Sequence, residues 1–258
     1  MKRTIRATGY TFALPCVLFG LWWALAQHSQ SYFLPDPVKV VKMVPSVWGG
    51  PRLTEDVLPS LRRLVAGLGM AIIVGVAAGI PLGTYRKARE VFEPLLEFLR
   101  AVPSTVLAPI LLLIVGINDW MKIDVIALGC AWPILLNTIE GVRSIDEVMA
   151  DTAEILRLRR WRRLWYLVLP GAMPRIMAGI RQSLSIGLIL MLVSEMFAAS
   201  NGLGFAVVQF QRIFAIPQMW SGILLLGALG FVIAWIFGRL EKRVLRWYFG
   251  LKETTSAG

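Results

Sequence analysis

Runs of about twenty mostly apolar residues recur along this chain of 258 residues, and they restrict its fold more than any other feature. A helix needs about 20 apolar residues to cross a hydrocarbon layer of about 30 Å. Hydrophobic residues make up 57% of the chain and charged residues only 17%, against roughly 25% charged residues in soluble domains. We therefore predict an all-α integral membrane protein.

The apolar runs predict about six transmembrane helices. They lie at about 9–28, 64–85, a stretch after Glu93-Pro94 that ends near Ile117, 123–141, 174–198 and 218–238. The chain then divides into an N-terminal region with the first helix (1–28), a periplasmic segment (29–63), a core (64–238) and a cytoplasmic basic tail (239–258). Glycines and alanines recur through the second span, and small residues allow membrane helices to approach closely.

The distribution of lysine and arginine predicts the orientation. With the N-terminus inside, the inside segments carry 18 of these residues and the outside segments 7. Cytoplasmic loops are the positively charged ones in membrane proteins. Both termini are therefore predicted in the cytoplasm, as is the loop at 141–175.

The N-terminus has two interpretations. Lys2, Arg3 and Arg6 precede an apolar run, and Ala24-Leu25-Ala26 is similar to a signal-peptidase site. The run is long for a signal peptide and carries Trp22 and Trp23 just before that site. We expect a retained first helix, with a cleaved signal as the alternative.

Several classes of function have no support in the sequence. No phosphate-binding loop, serine-hydrolase motif or zinc-protease motif is present, so we predict no catalytic residues and no cofactor. The single histidine, His28, and the separated Cys16 and Cys130 predict no metal site. The net charge of +11 lies in alternate loops and not on one face, which argues against nucleic acid as a partner.

A charged insert between the fourth and fifth predicted spans is the strongest functional candidate. Five arginines fall within seven positions, at 157, 159, 160, 162 and 163. Before them, apolar residues at steps of three and four predict a short amphipathic helix over 145–158. Such a helix needs a cover for its apolar stripe, either a partner protein or its own membrane domain and the lipid interface.

The insert resembles the cytoplasmic loop of ABC-importer permeases, E-A-A-x-x-x-G followed by nine residues and I-x-L-P. The matching positions are Asp151, Thr152, Ala153, Arg157, Leu167, Leu169 and Pro170. Further similar segments are 34–37, 78–83, 133–138 and 195–204. Together they resemble the permeases for nitrate, taurine, alkanesulfonates, bicarbonate and pyrimidine precursors.

The resemblance implies a type I importer fold in the bacterial cytoplasmic membrane. It also implies a homodimer, two ATP-binding cassette subunits that hold ATP and Mg²⁺, a periplasmic or lipid-anchored substrate-binding protein and contact with membrane lipid. The loop would be the coupling helix that docks on the ATPase, with Asp151, Thr152, Ala153, Leu156, Arg157 and Pro170 as its site residues. The arginines are either topology anchors and lipid-headgroup ligands or partners for acidic residues of the ATPase.

Arg157 departs from the family pattern, which has glycine at this position. Glycine ends a helix in the left-handed conformation at little cost, and arginine does not. We therefore expect a displaced turn or a longer helix here.

Four polar residues in the predicted spans are candidates for the translocation pathway: Arg181, Glu195, Asn137 and Ser185. Ionisable residues within spans are costly and suggest function. Arg181 also fits a side chain that reaches the cytoplasmic interface, and the polar residues fit ordinary hydrogen bonds between helices. The resemblance implies a small solute of nitrate, sulfonate or taurine type, and a basic residue such as Arg181 favours an anion. An ion-gradient transporter or a scaffold that recruits a cytoplasmic partner are the alternatives.

Overall fold

The computed structural model describes residues 2–29 and 31–250, and every regular element in those ranges is helical. The α-helices are α1 (Lys2–Ser29), α2 (Pro37–Trp48), α3 (Leu58–Thr84), α4 (Arg86–Ala101), α5 (Leu107–Val115), α6 (Asp119–Arg143), α7 (Glu147–Ile155), α8 (Arg160–Arg163), α9 (Leu169–Ala198), α10 (Leu203–Arg212) and α11 (Ile216–Val244). The predicted all-α fold class is confirmed. Residues 251–258 of the predicted tail lie outside the described ranges.

Four helices are long and apolar enough to cross a membrane within the described ranges, and a bent pair makes a fifth candidate. The four are Leu53–Thr84, Asp119–Arg143, Arg160–Phe197 and Ile216–Val244. Helix α1 covers the first predicted span but is not among these candidates. The count of six spans and the orientation of the termini stay predictions.

The predicted third span contains a sharp bend in the structure. Helix α4 and the segment Ser104–Val115 meet at an angle of 75°. Val102 is extended, with ψ of 120°, because the ring of Pro103 disfavours helical backbone at the residue before it. Helix α4 is amphipathic and has no buried residue, and its apolar side chains Val91 and Phe98 are exposed.

The helix that contains the predicted fifth span begins well before residue 174. The structure continues this helix back from Leu169 through a π-helical turn, Leu164–Val168, to Arg160. The amide of Leu169 donates to the carbonyl of Leu164, five residues earlier. A π-turn suits this place because Pro170 has no amide hydrogen to donate. Arg160, Arg162 and Arg163 therefore belong to the first turns of this helix, and only a few residues separate it from α7.

The chain separates into two compact units. The first comprises residues 1–59 and 201–228, and the second comprises 60–200 and 229–258. In the first unit, the carboxylate of Asp56 accepts hydrogen bonds from Arg52 at 3.0 Å and from the amide of Gly202 at 2.9 Å. The indole of Trp48 donates to Ser221 at 2.9 Å. The segment 29–63, predicted to lie outside, contains helix α2 and the start of the next helix.

In the second unit, α6 packs between α3 and α9 with very little space. A β-carbon added at Gly79 of α3 would lie 2.6 Å from the Cβ of Thr138 and 3.1 Å from the carbonyl oxygen of Leu135. One added at Gly179 of α9 would lie 2.8 Å from the carbonyl oxygen of Pro133. The close approach of helices predicted for small residues of the second span is confirmed at Gly79. Close packing matters here because lipid supplies no hydrophobic drive for helix association.

Candidate functional site

The predicted coupling segment forms a short capped helix, α7. The side chain of Asp146 accepts hydrogen bonds from the amides of Val148 at 2.8 Å and Met149 at 3.4 Å. An N-cap of this kind satisfies amides that have no partner within the helix. Glu147 adds negative charge to the first turn, which the helix dipole favours. The helix is therefore held by local contacts at its start.

The end of α7 corrects the expectation for Arg157. Its φ is +50°, so arginine takes the left-handed conformation that glycine takes in the family pattern. The amide of Leu158 donates to Ala153 at 3.0 Å, and the amide of Arg157 donates to Glu154 at 2.8 Å. These two bonds define a Schellman motif. The turn is not displaced, and the helix is not longer. The two hydrogen bonds outweigh the cost of the left-handed conformation of Arg157, which is roughly 1–2 kcal/mol.

Most apolar side chains of the α7 region face outward. Val148, Met149, Ile155 and Leu156 are between 60% and 80% exposed, whereas Ala153 is 5% exposed. Asp151 and Thr152 are exposed as well, and Thr152 donates to the carbonyl of Val148 at 2.6 Å. The membrane domain of this chain therefore covers only Ala153 among the predicted site residues of this helix. We call Val148, Met149, Ile155 and Leu156 the exposed face of α7.

The arginine cluster adjoins a wide cavity. Arg160 and Arg163 line it with Trp161 and Tyr85, and its volume is about 680 Å³. Within residues 31–250, none of the five arginines forms an ion pair with a carboxylate of its own chain. Their charges are thus available to lipid headgroups or to a partner, and both interpretations of the arginines remain.

The four predicted pathway residues do not come together. Asn137 donates to the carbonyl of Pro133 on its own helix at 2.8 Å, and Ser185 is exposed. Arg181 forms an ion pair with Glu241 of α11. Glu195 lies near the C-terminal end of α9, whereas Arg181 lies near the middle of this helix. The roles of these residues in a pathway stay predictions.

Glu195 belongs to a buried charge cluster that the sequence pattern did not reveal. It is fully buried, and it accepts hydrogen bonds from Ser60 at 2.7 and 2.9 Å and from Arg63 at 2.8 Å. Arg63 is 1% exposed and also donates to Asp119 at 2.7 and 3.0 Å. Lys122, 3% exposed, lies 3.6 Å from Asp119.

This cluster joins three helices at one end of the second unit. Ser60 and Arg63 come from α3, Asp119 and Lys122 from α6, and Glu195 from α9. Sequence reasoning missed Arg63 and Lys122 because they lie outside the apolar runs or at their edges. A buried ion pair tolerates the loss of one member poorly, because the other charge is left without compensation. The geometry therefore assigns Glu195 a part in holding helix ends together.

No group of three or more metal-ligating side chains occurs among the residues that the structure describes.

Comparison with known proteins agrees with the sequence motifs. Residues 71–246 match the family described as binding-protein-dependent transport system inner membrane component. The taurine transport system permease protein TauC of Escherichia coli K12 is 30% identical over 240 residues, which cover 90% of this chain and 87% of TauC. The putative aliphatic sulfonates transport permease protein SsuC of Bacillus subtilis is 27% identical, covering 91% of this chain and 86% of SsuC.

The fold is likewise known. A chain of the MetNI methionine ABC transporter in inward-facing conformations matches with a TM-score of 0.65 and 19% identity, over 76% of this chain and 97% of that chain. The predicted resemblance to ABC-importer permeases is confirmed. The chain belongs to the family of binding-protein-dependent transport system inner membrane components and is a permease of the ABC-importer type.

Proposed function

We propose that this permease takes up a small solute with an anionic group, of sulfonate or taurine type, in a bacterial cytoplasmic membrane. Two copies would work with two ATP-binding cassette subunits and a substrate-binding protein outside the cell. The permeases TauC and SsuC, whose names state taurine and aliphatic sulfonates as solutes, support this solute class. ATP and Mg²⁺ would be bound by the cassette subunits alone.

One observation supports coupling through α7. Its exposed face consists of four apolar side chains that are each at least 60% exposed, although capping bonds hold the helix in place at both ends. An amphipathic helix that presents its apolar side to a groove is a common mode of protein recognition. Asp151 and Thr152 would lie at the edge of that contact, with the left-handed turn at Arg157 directing the chain back to the membrane.

Arg157 and Pro170 fit this proposal through the geometry they impose. The left-handed turn at Arg157 ends α7. The π-turn Leu164–Val168, just before Pro170, joins α8 to α9 in one continuous helix that begins at Arg160. A movement of α7 would therefore reach α9 through a connection of only a few residues. This short connection suits a segment that transmits the closure of an ATPase to the membrane helices.

The test is ATP-driven uptake of a radiolabelled sulfonate into proteoliposomes that contain the permease, its ATPase and the binding protein. Leu156→Asp should abolish ATP-dependent uptake while the permease still inserts and remains monodisperse in detergent. Ile213→Asp is a matched control, because Ile213 is 67% exposed and Leu156 is 66% exposed, and it should transport normally.

The rival functions give different results in the same assay. An ion-gradient transporter would take up solute without ATP when a gradient is imposed. A scaffold would show no uptake under either condition. Equal uptake by Leu156→Asp and wild type would contradict the assignment of α7 as the coupling helix.

A further inference from the structure

Asp124 lies among apolar residues of α6, outside the buried charge cluster. Asp124 is half-buried and lines a cavity of about 230 Å³ between α3, α5 and α6. The other walls are apolar and include Met70 and Val74 of α3, Leu111 of α5 and Leu128 of α6. Val74 and Leu128 are 56% and 43% exposed, so the cavity opens to the outside of this chain.

Asp124 makes no hydrogen bond or ion pair with any residue in the part of the chain that the structure describes. Asp119 offers a direct comparison, because it lies on the same helix about 7.5 Å away along the axis. Arg62 and Arg63 both form ion pairs with Asp119. The two neighbouring acids therefore differ: one is neutralised within the chain, and the other faces a cavity alone.

An ionised carboxylate among apolar groups in a span is costly, and its presence is by default a sign of function. A lipid-facing position would leave the charge in hydrocarbon. A cavity that receives a cationic group compensates the charge when it is occupied. The cavity volume equals that of roughly seven to eight water molecules in the liquid. It therefore suits the end of a small organic solute.

We infer that Asp124 receives the ammonium group of the transported solute. Resting on the proposed function, this narrows the substrate class to solutes that carry an ammonium group beside their anionic group. The carboxylate provides two acceptor oxygens for the N–H donors of an ammonium ion. The same carboxylate repels a solute whose only charge is negative, so it discriminates by attraction and by repulsion together.

A binding measurement tests this inference without transport. The purified permease–ATPase complex is heated in increasing ethylammonium chloride, with equal sodium chloride as reference. Wild type, Asp124→Glu and Leu128→Asn should gain thermal stability with ethylammonium, and Asp124→Asn should not. Leu128→Asn controls for a new amide in the same cavity. An equal gain in Asp124→Asn, or no gain in wild type, would overturn the inference.

A third result of that experiment also overturns it. In this result, Asp124→Asn separates the two copies of the permease, and ethylammonium stabilises none of the variants. Asp124 would then pair with a residue of the second copy.

Uptake of two matched probes then tests selectivity. Taurine and 2-hydroxyethanesulfonate differ only in an ammonium group against a hydroxyl group. The taurine-to-hydroxyethanesulfonate uptake ratio should fall at least about tenfold in Asp124→Asn, a difference of about 1.4 kcal/mol. The binding protein is the same in all variants, so its own preference cancels when the ratios are compared. An equal loss for both probes would contradict a selective role.

The two experiments separate the inference from the proposed function. Absence of ATP-driven uptake in wild type would count against the proposed function. The ethylammonium measurement would still decide the role of Asp124, since it requires neither ATP nor transport.

Discussion

Arg157 shows how one residue can depart from a family pattern while the local structure is kept. Its left-handed backbone, at φ of +50°, supports the two hydrogen bonds that end α7. The sequence pattern identified the position correctly but predicted the wrong outcome. A propensity argument counts the cost of arginine in this conformation, and it does not count the two bonds that the conformation allows.

Replacing this residue by glycine should strengthen the turn. We expect Arg157→Gly to stabilise the end of α7 by about 0.5–1 kcal/mol, because glycine takes the left-handed conformation freely. The greater conformational entropy of glycine in the unfolded chain removes part of this gain. Hydrogen exchange of the Leu158 amide should slow by about two- to fivefold. Arg162→Gly is the control in helical backbone, and it should destabilise α8 by about 1 kcal/mol. Faster exchange at Leu158 in Arg157→Gly would contradict the account.

Glu195 gives a second prediction at the residue scale. The structure places it in a buried ion pair with Arg63, so Glu195→Gln should lower the free energy of unfolding of the permease by about 3–5 kcal/mol. Exchanging both residues for methionine should cost much less, because no buried charge is then left alone. Thermal unfolding in detergent measures both. Normal stability with altered transport in Glu195→Gln would instead support the pathway role predicted from the sequence.

At the scale of elements, α3 and α6 pack closely at the glycines of α3. Gly79→Ala should destabilise the permease by about 1–3 kcal/mol, because the new methyl group would overlap Thr138 and the Leu135 carbonyl. Gly69 lies on the same helix with nothing within 4 Å of an added β-carbon. Gly69→Ala should therefore be neutral or stabilising by up to about 1 kcal/mol. Thermal unfolding of the two variants in detergent measures the contrast. Similar unfolding temperatures would contradict the packing described.

The elements also show what sequence could predict. Apolar runs and small residues predicted α3, α6, α9 and α11 to within a few residues, except where the helix continued beyond the apolar run. The start at Arg160 was missed, because a π-turn carried the helix through Pro170. The angle of the bend before α5 could not be predicted either. Pro103 interrupts the apolar run, but the effect of a proline on a membrane helix depends on how the neighbouring helices satisfy the backbone.

Long-range pairing was beyond the sequence altogether. Ser60, Arg63, Asp119 and Glu195 come from three helices, and no spacing along the chain relates them. The sequence did not predict a role for Asp124, because a single acidic residue among apolar residues forms no motif. Its interest arises only from the cavity around it. The motif of the cytoplasmic loop, by contrast, is local in the sequence, so it indicates the family without any knowledge of the fold.

At the scale of the whole molecule, the permease leaves the apolar side chains on the exposed face of α7 uncovered by its own chain. The exposed face of α7 is apolar, capped and joined to a span by a short connection. ABC-importer permeases work with ATP-binding subunits and a substrate-binding protein, and a second copy of the chain is part of the assembly that we propose. The central claim is that the ATPase covers this face.

Site-specific photocrosslinking tests that claim most directly. A photoreactive phenylalanine analogue at Leu156 should crosslink to the ATPase subunit in the assembled complex, and the same analogue at Ile213 should not. The yield at Leu156 should change between nucleotide-free and ATP-bound complexes if α7 follows the ATPase. Crosslinks from Leu156 only to lipid, or only to the permease itself, would contradict the account.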